Sequence, residues 1–176
     1  MLKHITAKFL IFTAAFLVFI AFKPTTVAAQ QAPAYPKVTG FFGIVHPIGA
    51  FYSGSFHSGL SGVRTIGFPF GVNILKSETF GVSFEFVPYI RTENNVSKVN
   101  SVLFHPGAVF RFKHGFNLIG RLAFETNGRY GVTPVVNQVI IKGKDASMFV
   151  SVPFPIRFGN GLPTSAGAAL QVGVTF

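Results

Sequence analysis

The chain contains no cysteine and no tryptophan, and only 11% of its residues are charged. An ordinary globular chain has about 25% charged residues. The absence of cysteine excludes disulfides, thiol catalysis, cysteine-ligated zinc and a lipoprotein anchor. The scarcity of charge leaves little polar surface to cover a soluble fold. The hydrophobic residues, which make up 49% of the chain and include 23 Phe, therefore need an apolar environment of their own.

A long apolar run is also missing after the N-terminal segment. A helix that spans a bilayer needs about 20 consecutive apolar residues, and no such stretch follows residue 29. High hydropathy without a spanning helix favours a different arrangement, in which apolar residues alternate along strands and face lipid from the outside of a closed barrel.

The N-terminal segment has the three-part layout of a secretory signal peptide. Lys3 and Lys8 precede an unbroken apolar run over Phe9–Phe22, and Val27 and Ala29 follow in the small-residue spacing of a cleavage site. The alternative is an uncleaved membrane anchor. We predict a signal peptide over residues 1–29 and a barrel domain over residues 30–176.

Alternation of apolar and polar residues predicts eight strands and an all-β fold, an eight-stranded antiparallel up-and-down transmembrane β-barrel. The strands are predicted at Lys37–Val45, Val63–Leu75, Thr79–Arg91, Ser101–Phe112, Phe116–Glu125, Val132–Ile141, Ala146–Phe158 and Ala168–Phe176. Long connections alternate with three short turns that begin at Lys76, Lys113 and Lys142. This asymmetry predicts short periplasmic turns and long external loops, and the last strand is expected to pair with the first.

Parity along each strand assigns the two faces of the predicted barrel. On the third strand Phe80, Phe84 and Phe86 share one face, whereas Ser83 and Glu85 share the other. The interior of an eight-stranded barrel has room only for side chains, so the large apolar set is expected to face outward. Buried charges must be paired. We therefore predict a lumen ion-pair network of Glu85, Arg111, Arg121 and Glu125, with His105 nearby.

Six prolines fall inside the predicted strands, where they cannot donate to a ladder. All of them lie in the half of each strand next to the long loops. We expect that half to be bulged or irregular and the half next to the short turns to be regular. The prolines are Pro69, Pro88, Pro106, Pro134, Pro153 and Pro155.

The residues leave several functions open. The lumen network is either a structural plug or a gate for a narrow ion-conducting pore. A lipid A-modifying enzyme is also possible, with Ser58 as the nucleophile, His57 as its base and Glu93 as the acid that orients the base. Adjacent residues on a strand usually point apart, which disfavours a Ser58–His57 pair. A soluble periplasmic lipocalin-like carrier would turn the apolar face inward. We expect no catalytic residues, no metal site and no cofactor. Nucleic acid is excluded as a partner because the basic residues are scattered.

The signal peptide, the alternating strands, the loop asymmetry and the terminal segment LQVGVTF together resemble the small outer-membrane β-barrels of Gram-negative bacteria, the OmpX type and the OmpA transmembrane domain. We expect a non-enzymatic, monomeric protein in a structural or surface-interaction role, with outer-membrane lipid and lipopolysaccharide as partners. The resemblance implies an integral protein of the cell outer membrane. It also implies that the barrel-assembly machinery reads the C-terminal strand through Leu170, Val172, Val174 and Phe176. A basic rim is expected to face lipopolysaccharide. It comprises Arg64, Arg91, Lys98, Arg129 and Arg157.

Overall fold

The structure is a computed structural model that describes residues 35–60 and 63–176. The predicted signal peptide lies outside the described residues. The strands are β1 Lys37–Tyr52, β2 Ser55–Ser58, β3 Arg64–Gly67, β4 Phe70–Leu75, β5 Phe80–Glu93, β6 Val96–Arg111, β7 Phe116–Glu125, β8 Tyr130–Lys142, β9 Ser147–Pro153, β10 Ile156–Phe158 and β11 Ser165–Thr175. A 3-10 turn occupies Lys113–Gly115. The described part of the chain contains no helix long and apolar enough to cross a membrane.

The strands close into one antiparallel sheet, which confirms the predicted eight-stranded up-and-down barrel. β3 and β4 form two segments of one barrel strand, because both lie between β1 and β5. β9 and β10 likewise share the place between β8 and β11. β11 pairs with β1 from Phe41 opposite Thr175 to Phe51 opposite Ala166, so the last strand closes the barrel on the first, as predicted.

Two strands run well past their predicted ends. β1 continues to Tyr52 and forms a hairpin with β2, where the first long connection was predicted. β6 begins at Val96, and its hairpin with β5 includes most of the long connection predicted between residues 91 and 101. The φ angles of Asn94 and Asn95 are both positive (50° and 63°), which is the conformation that a tight two-residue hairpin turn requires. The end of the barrel that carries these hairpins is called the loop end, and the opposite one the turn end.

Two of the six prolines, Pro69 and Pro155, interrupt their own strands, whereas Pro88, Pro106 and Pro134 lie inside the continuous strands β5, β6 and β8. The gap between β3 and β4 falls at residues 68–69, and the gap between β9 and β10 at residues 154–155. Phe68 donates its N–H to the carbonyl of Pro88 on β5 (3.1 Å), and Phe154 donates its N–H to the carbonyl of Pro134 on β8 (2.8 Å). Each break therefore lies beside a proline of a neighbouring strand. Bulges at 47–49 and 89–90 fall on the loop-end side. The prediction that the turn-end half is regular is wrong, since β8 carries a bulge at 139–141.

Phenylalanine covers the outside of the cylinder. Phe70, Phe86 and Phe104 lie side by side across β4, β5 and β6, with ring centroids 6.0 Å and 5.0 Å apart. Phe80 and Phe110 pair nearer the turn end at 5.5 Å, and Tyr130 and Phe158 pair nearer the loop end at 6.1 Å. The lipocalin-like alternative, in which these residues turn inward, is therefore wrong. Large outward side chains that remain exposed include Phe42, Phe84, Leu118, Leu122, Phe124, Val136, Leu170 and Val172.

Candidate functional site in the barrel lumen

Glu85 lies at the centre of a polar cluster that crosses the barrel. Its Oε1 is 3.0 Å from Nδ1 of His105, which lies opposite it on β6. Its Oε2 is 3.0 Å from Nη1 of Arg121 on β7, an electrostatic contact without hydrogen-bond geometry. Glu85, His105 and Arg121 are 2%, 4% and 5% exposed. We name the lumen network by its six members, which are Glu85, His105, Arg121, Glu125, Thr133 and Arg157.

The contacts of His105 define how its ring is hydrogen-bonded. Nδ1 faces the carboxylate of Glu85, which can only accept if ionised. Nε2 lies 3.2 Å from Nη2 of Arg157, which can only donate, and 3.0 Å from the hydroxyl of Thr133. These partners fit a neutral imidazole that carries its proton on Nδ1 and accepts at Nε2. His105 thereby links the Glu85–Arg121 pair to Arg157.

Arg157 belongs to the lumen and not to the lipopolysaccharide-facing rim, so its predicted place is wrong. Its Nε donates to Oε1 of Glu125 at 2.8 Å, and its Nη1 donates to Oγ1 of Thr133 at 2.9 Å. The residue is only 7% exposed. It has the same parity as Phe149 and Ser151, which are also buried, so the alternation persists through the break at 154–155. The side chain lies inside the barrel for that reason.

The predicted ion pairs form only in part. Arg121 contacts Glu85, donates to Oγ of Ser83 at 3.2 Å and lies 5.7 Å from the centre of the Phe41 ring. Glu125 contacts Arg157 and not Arg121. Arg111 stands apart from the lumen network, because it is near the turn end of β6, opposite Asn117. Its guanidinium forms no ion pair or hydrogen bond to another described residue.

An apolar layer adjoins the network and closes the lumen. Val87 and Leu103 face each other across β5 and β6 and are 2% and 0% exposed. They pack with Val45, Ala123 and Ala169. The cavity left among these residues and the network is about 20 Å³, which is room for about one water. The described barrel is therefore filled at this level.

A much larger cavity, of about 560 Å³, occupies the lumen on the turn-end side of the network. Arg121 lines it at its inner limit, and Lys113 of the 3-10 turn and Lys142, the last residue of β8, line it at the turn end. Polar side chains of the wall bond one another, as Asn117 does with Asn137 (2.7 Å). The lumen is thus divided into a filled part and an open part.

Three of the predicted rim residues lie exposed at the loop end. Arg64 and Lys98 are exposed, and Arg91 contacts Glu93 at 3.0 Å. Arg91 lies opposite Lys98 in the β5–β6 ladder, and Thr65, the neighbour of Arg64, lies opposite Arg91. The three cations therefore lie on adjacent strands of the loop end, with Arg91 and Lys98 on one face of the sheet and Arg64 on the other.

Arg129 has a different place from these three. Its Nη2 donates to the carbonyls of Pro163 (2.9 Å) and Arg157 (3.2 Å) and to Oγ of Ser165 (3.2 Å). The guanidinium therefore folds over the 159–164 loop and binds it. Its contact with lipopolysaccharide stays a prediction.

The residues suggested for lipid A chemistry do not form a triad. Nε2 of His57 lies 3.0 Å from Oγ of Ser55, two residues away on the same face of β2, and its ring stacks on Tyr52 at 3.7 Å. Ser58 instead accepts a hydrogen bond from the N–H of Leu60. Glu93 is engaged with Arg91. Among the described residues, no group of three or more His, Cys, Asp or Glu side chains could hold a metal ion.

β11 presents its alternate residues as the sequence pattern indicates. Leu170, Val172 and Phe176 are 45%, 41% and 65% exposed on the outside, whereas Gln171 is 4% exposed inside. Val174 is partly exposed. Phe176 exchanges both backbone hydrogen bonds with Gly40, at 2.8 Å and 2.9 Å. The C-terminal strand is therefore hydrogen-bonded up to the last residue of the sequence.

Thr133 and Tyr89 are the lumen residues whose role sequence reasoning missed. Thr133 lies opposite Arg121 and bridges His105 and Arg157. Tyr89 packs against the apolar layer. Parity places both inside, but Thr133 carries no charge, and its two hydrogen bonds depend on residues of two other strands, His105 on β6 and Arg157 on β10. Its role therefore could not be read from its own strand.

Comparison with known proteins bears on the fold. No protein-family model matches the chain, and no curated protein matches its sequence. Among solved structures, Ail, the attachment invasion locus protein of Yersinia pestis, is 12% identical with a TM-score of 0.50, over 79% of this chain and 97% of that chain. A structure described as de novo design of transmembrane β-barrels is 8% identical with a TM-score of 0.47, over 81% and 96%. The chain has the fold of a small transmembrane β-barrel.

Proposed function

We propose that the protein is a non-enzymatic integral protein of the bacterial outer membrane, with a plugged lumen and a structural or surface-interaction role. The observation that carries the proposal is the division of the barrel wall. Large apolar side chains such as Phe84 and Leu122 are exposed on the outside, whereas Glu85, Arg121 and Arg157 are buried inside. A water-soluble barrel has the opposite arrangement, and only lipid tolerates an outer surface of this kind.

The plugged lumen supports a structural role over conduction. A pore needs a continuous polar passage, and here the lumen network and the layer around Leu103 leave only about 20 Å³. The network also has the properties of a structural element, since its charges are paired and His105 and Thr133 are hydrogen-bonded on several sides. The narrow ion-conducting pore is the weaker alternative for this reason.

Partners are proposed from the surfaces of the barrel. The apolar outside suits outer-membrane lipid, and the exposed cations Arg64, Arg91 and Lys98 suit the phosphates of lipopolysaccharide. The exposed side of β11 and the adjoining Phe176 suit recognition by the barrel-assembly machinery during biogenesis. The barrel strands pair all the way around, so we propose a monomer.

Cell fractionation and gel migration test the proposal together. The protein is expected in the outer-membrane fraction, to need detergent for solubility, and to migrate differently before and after boiling. Recovery in the soluble periplasmic fraction without detergent would overturn it.

Two further measurements address the alternatives. In planar bilayers the purified barrel is expected to show no resolved channel steps; steps that change in Glu85→Gln would establish the pore. Lipid A mass profiles of cells with the parent protein and with Ser58→Ala are expected to be identical, and a difference would establish the enzyme.

A further inference from the structure

The turn-end cavity contains basic groups and no acidic ones. Its lining includes Arg111, Lys113, Arg121 and Lys142, and no Asp or Glu of the described chain is among the lining residues. Glu85, which contacts Arg121, lies on the other side of that guanidinium and lines the small cavity instead. The barrel wall has low dielectric, so cations of one sign focus their field into the opening. The cavity therefore attracts anions.

Some of these donors have no protein partner. The guanidinium of Arg111 is half-buried and forms no hydrogen bond or ion pair within residues 35–60 and 63–176. Nε of Arg121 is fully buried and also lacks a partner in the described chain, although its Nη atoms contact Glu85 and Ser83. Nε of Arg121 has no accessible surface, so a ligand in the cavity meets Arg111, whose partly buried guanidinium has no competing acceptor in the described chain.

The wall of the cavity is partly apolar. Phe41, Val109 and Phe149 are buried and line it, and the Phe41 and Phe149 rings meet edge-on at 6.5 Å. Val109 lies on β6 one inward position deeper than Arg111, and Phe149 lies one inward position deeper than Ser147 on β9. A charged group at Arg111 would therefore have apolar surface on its inner side.

The volume of the turn-end cavity also limits the size of the ligand. At about 560 Å³ the cavity falls within the 300–1,000 Å³ that is typical of small-molecule sites. The lumen network closes the inner end, so a ligand enters and leaves at the turn end, past Lys113 and Lys142. A macromolecule does not fit.

We propose that the turn-end cavity binds a small organic anion with one phosphate or carboxylate group and a short apolar body. Arg111 binds the anionic group, Lys113 and Lys142 attract it to the opening, and Val109 and Phe149 pack on the apolar body. The site is independent of the lipid-facing surface and of the loop end, so it goes beyond the proposed function.

Butyl phosphate is a suitable probe, because it has both parts of the proposed ligand and is too short to partition strongly into detergent. The barrel is refolded in a zwitterionic detergent, and the amide NMR signals of Asn117 and Asn137, on the cavity wall, are followed during titration. Butyl phosphate is expected to give saturable shifts and butanol none. Inorganic phosphate is expected to bind at least about tenfold more weakly, since it has no butyl group to bury against Val109 and Phe149.

Variants of Arg111 test the assignment of the anionic group. Arg111→Gln is expected to weaken butyl phosphate binding by about tenfold or more, the effect of one lost charge-assisted hydrogen bond. Arg111→Lys is expected to recover part of the loss. Lys76→Gln is the matched control, because Lys76 is exposed in a turn at the same end and does not line the cavity. The affinity of Lys76→Gln for butyl phosphate is expected to equal that of the parent barrel.

Several outcomes would overturn the proposal. Absence of saturable shifts in the parent barrel would exclude the site, and this result does not depend on any variant folding. Equal affinity in Arg111→Gln, with heat-modifiable migration proving that the variant is folded, would exclude Arg111 as the binding group. Equal affinity for inorganic phosphate and butyl phosphate would exclude the apolar part of the ligand.

Discussion

Glu85 is the residue on which the lumen network depends most, because it contacts both His105 and Arg121. Glu85→Gln keeps the size of the side chain but leaves Arg121 buried without a counter-charge. Loss of one partner of a buried ion pair costs about 3–5 kcal/mol, so we expect the free energy of unfolding to fall by about that amount. Urea titration of the refolded barrel followed by circular dichroism measures it, since the chain has no Trp for fluorescence.

Glu93 offers a matched control for this change. It pairs with Arg91 at the same 3.0 Å distance, but both side chains are substantially exposed, 39% for Arg91 and 50% for Glu93. Exposed pairs contribute about 0–1 kcal/mol, so Glu93→Gln is expected to leave the midpoint nearly unchanged. If the two variants lower the free energy of unfolding equally, burial of Glu85 does not strengthen the contribution of its ion pair to stability.

At this scale, parity along the sequence places Glu85, Arg121 and His105 on the inward face. It could not choose partners, because the distance from Glu85 to Arg121 depends on how β5 and β7 are staggered across the lumen. Arg157 was assigned to the rim from its place near a strand end, although its parity is inward. A long side chain at a strand end reaches back into the lumen, as Arg157 does to Glu125.

Among the strands, the seam between β1 and β11 tolerates little added volume at its lumen face. Gly43 lies opposite Gly173, and a Cβ on Gly43 would lie 2.6 Å from the carbonyl oxygen of Val172. That atom belongs to the backbone and cannot move without breaking the closing ladder. Gly43→Val is therefore expected to lower the yield of heat-modifiable barrel after refolding.

Gly120 on β7 is the matched control for the seam. It faces outward, and a Cβ built on it would meet no atom within 4 Å. Gly120→Val is therefore expected to refold with parental yield. If both valine variants refold equally well, close approach at the β1–β11 seam does not limit closure.

Phe176, which follows β11, offers a test of the proposed recognition by the barrel-assembly machinery. Phe176 is 65% exposed, so Phe176→Ala is expected to refold in vitro with little loss. In cells the same variant is expected to give less assembled outer-membrane barrel, if the barrel-assembly machinery reads this position. Leu162→Ala, which removes a similarly exposed apolar group from a loop, serves as control. Parental amounts of assembled Phe176→Ala would contradict the recognition role.

Strand bounds follow from the sequence where alternation is strong and fail where tertiary pairing extends a strand. β7 has the predicted bounds, Phe116–Glu125, because a turn signal stands at each end. The loop-end hairpins do not follow from alternation, since their residues are polar or exposed on both faces. Two positive-φ asparagines form the β5–β6 turn, and the run that follows them, residues 96–100, gave no strand signal.

For the whole molecule, the closed barrel could be predicted because one constraint governs every strand. Large apolar groups alternate with small or polar ones, and an eight-stranded interior has no room for the large set. The division of the lumen into a filled part and a cavity of about 560 Å³ could not be predicted, because it depends on which inward side chains meet across the barrel. Single-strand parity contains no such information.

The orientation of the wall makes a prediction for the entire barrel in lipid. Phe84 lies near the middle of β5, faces outward and is 37% exposed between Val72 and Pro106. An Arg at the bilayer midplane of a barrel's lipid face costs about 2–4 kcal/mol. Phe84→Arg is therefore expected to lose that much unfolding free energy in phospholipid vesicles beyond the loss of Phe84→Ala, which accounts for the missing ring.

Leu162→Arg completes the comparison, because Leu162 is 52% exposed but lies in the 159–164 loop, away from the proposed lipid contact. It is expected to match the parent in vesicles. If Phe84→Arg is no less stable than Phe84→Ala, the outer face does not meet lipid, and the proposed membrane location fails with it. If Arg lowers the unfolding free energy at Phe84 and not at Leu162, the outward apolar face around Phe84 is the surface that lies in the hydrocarbon.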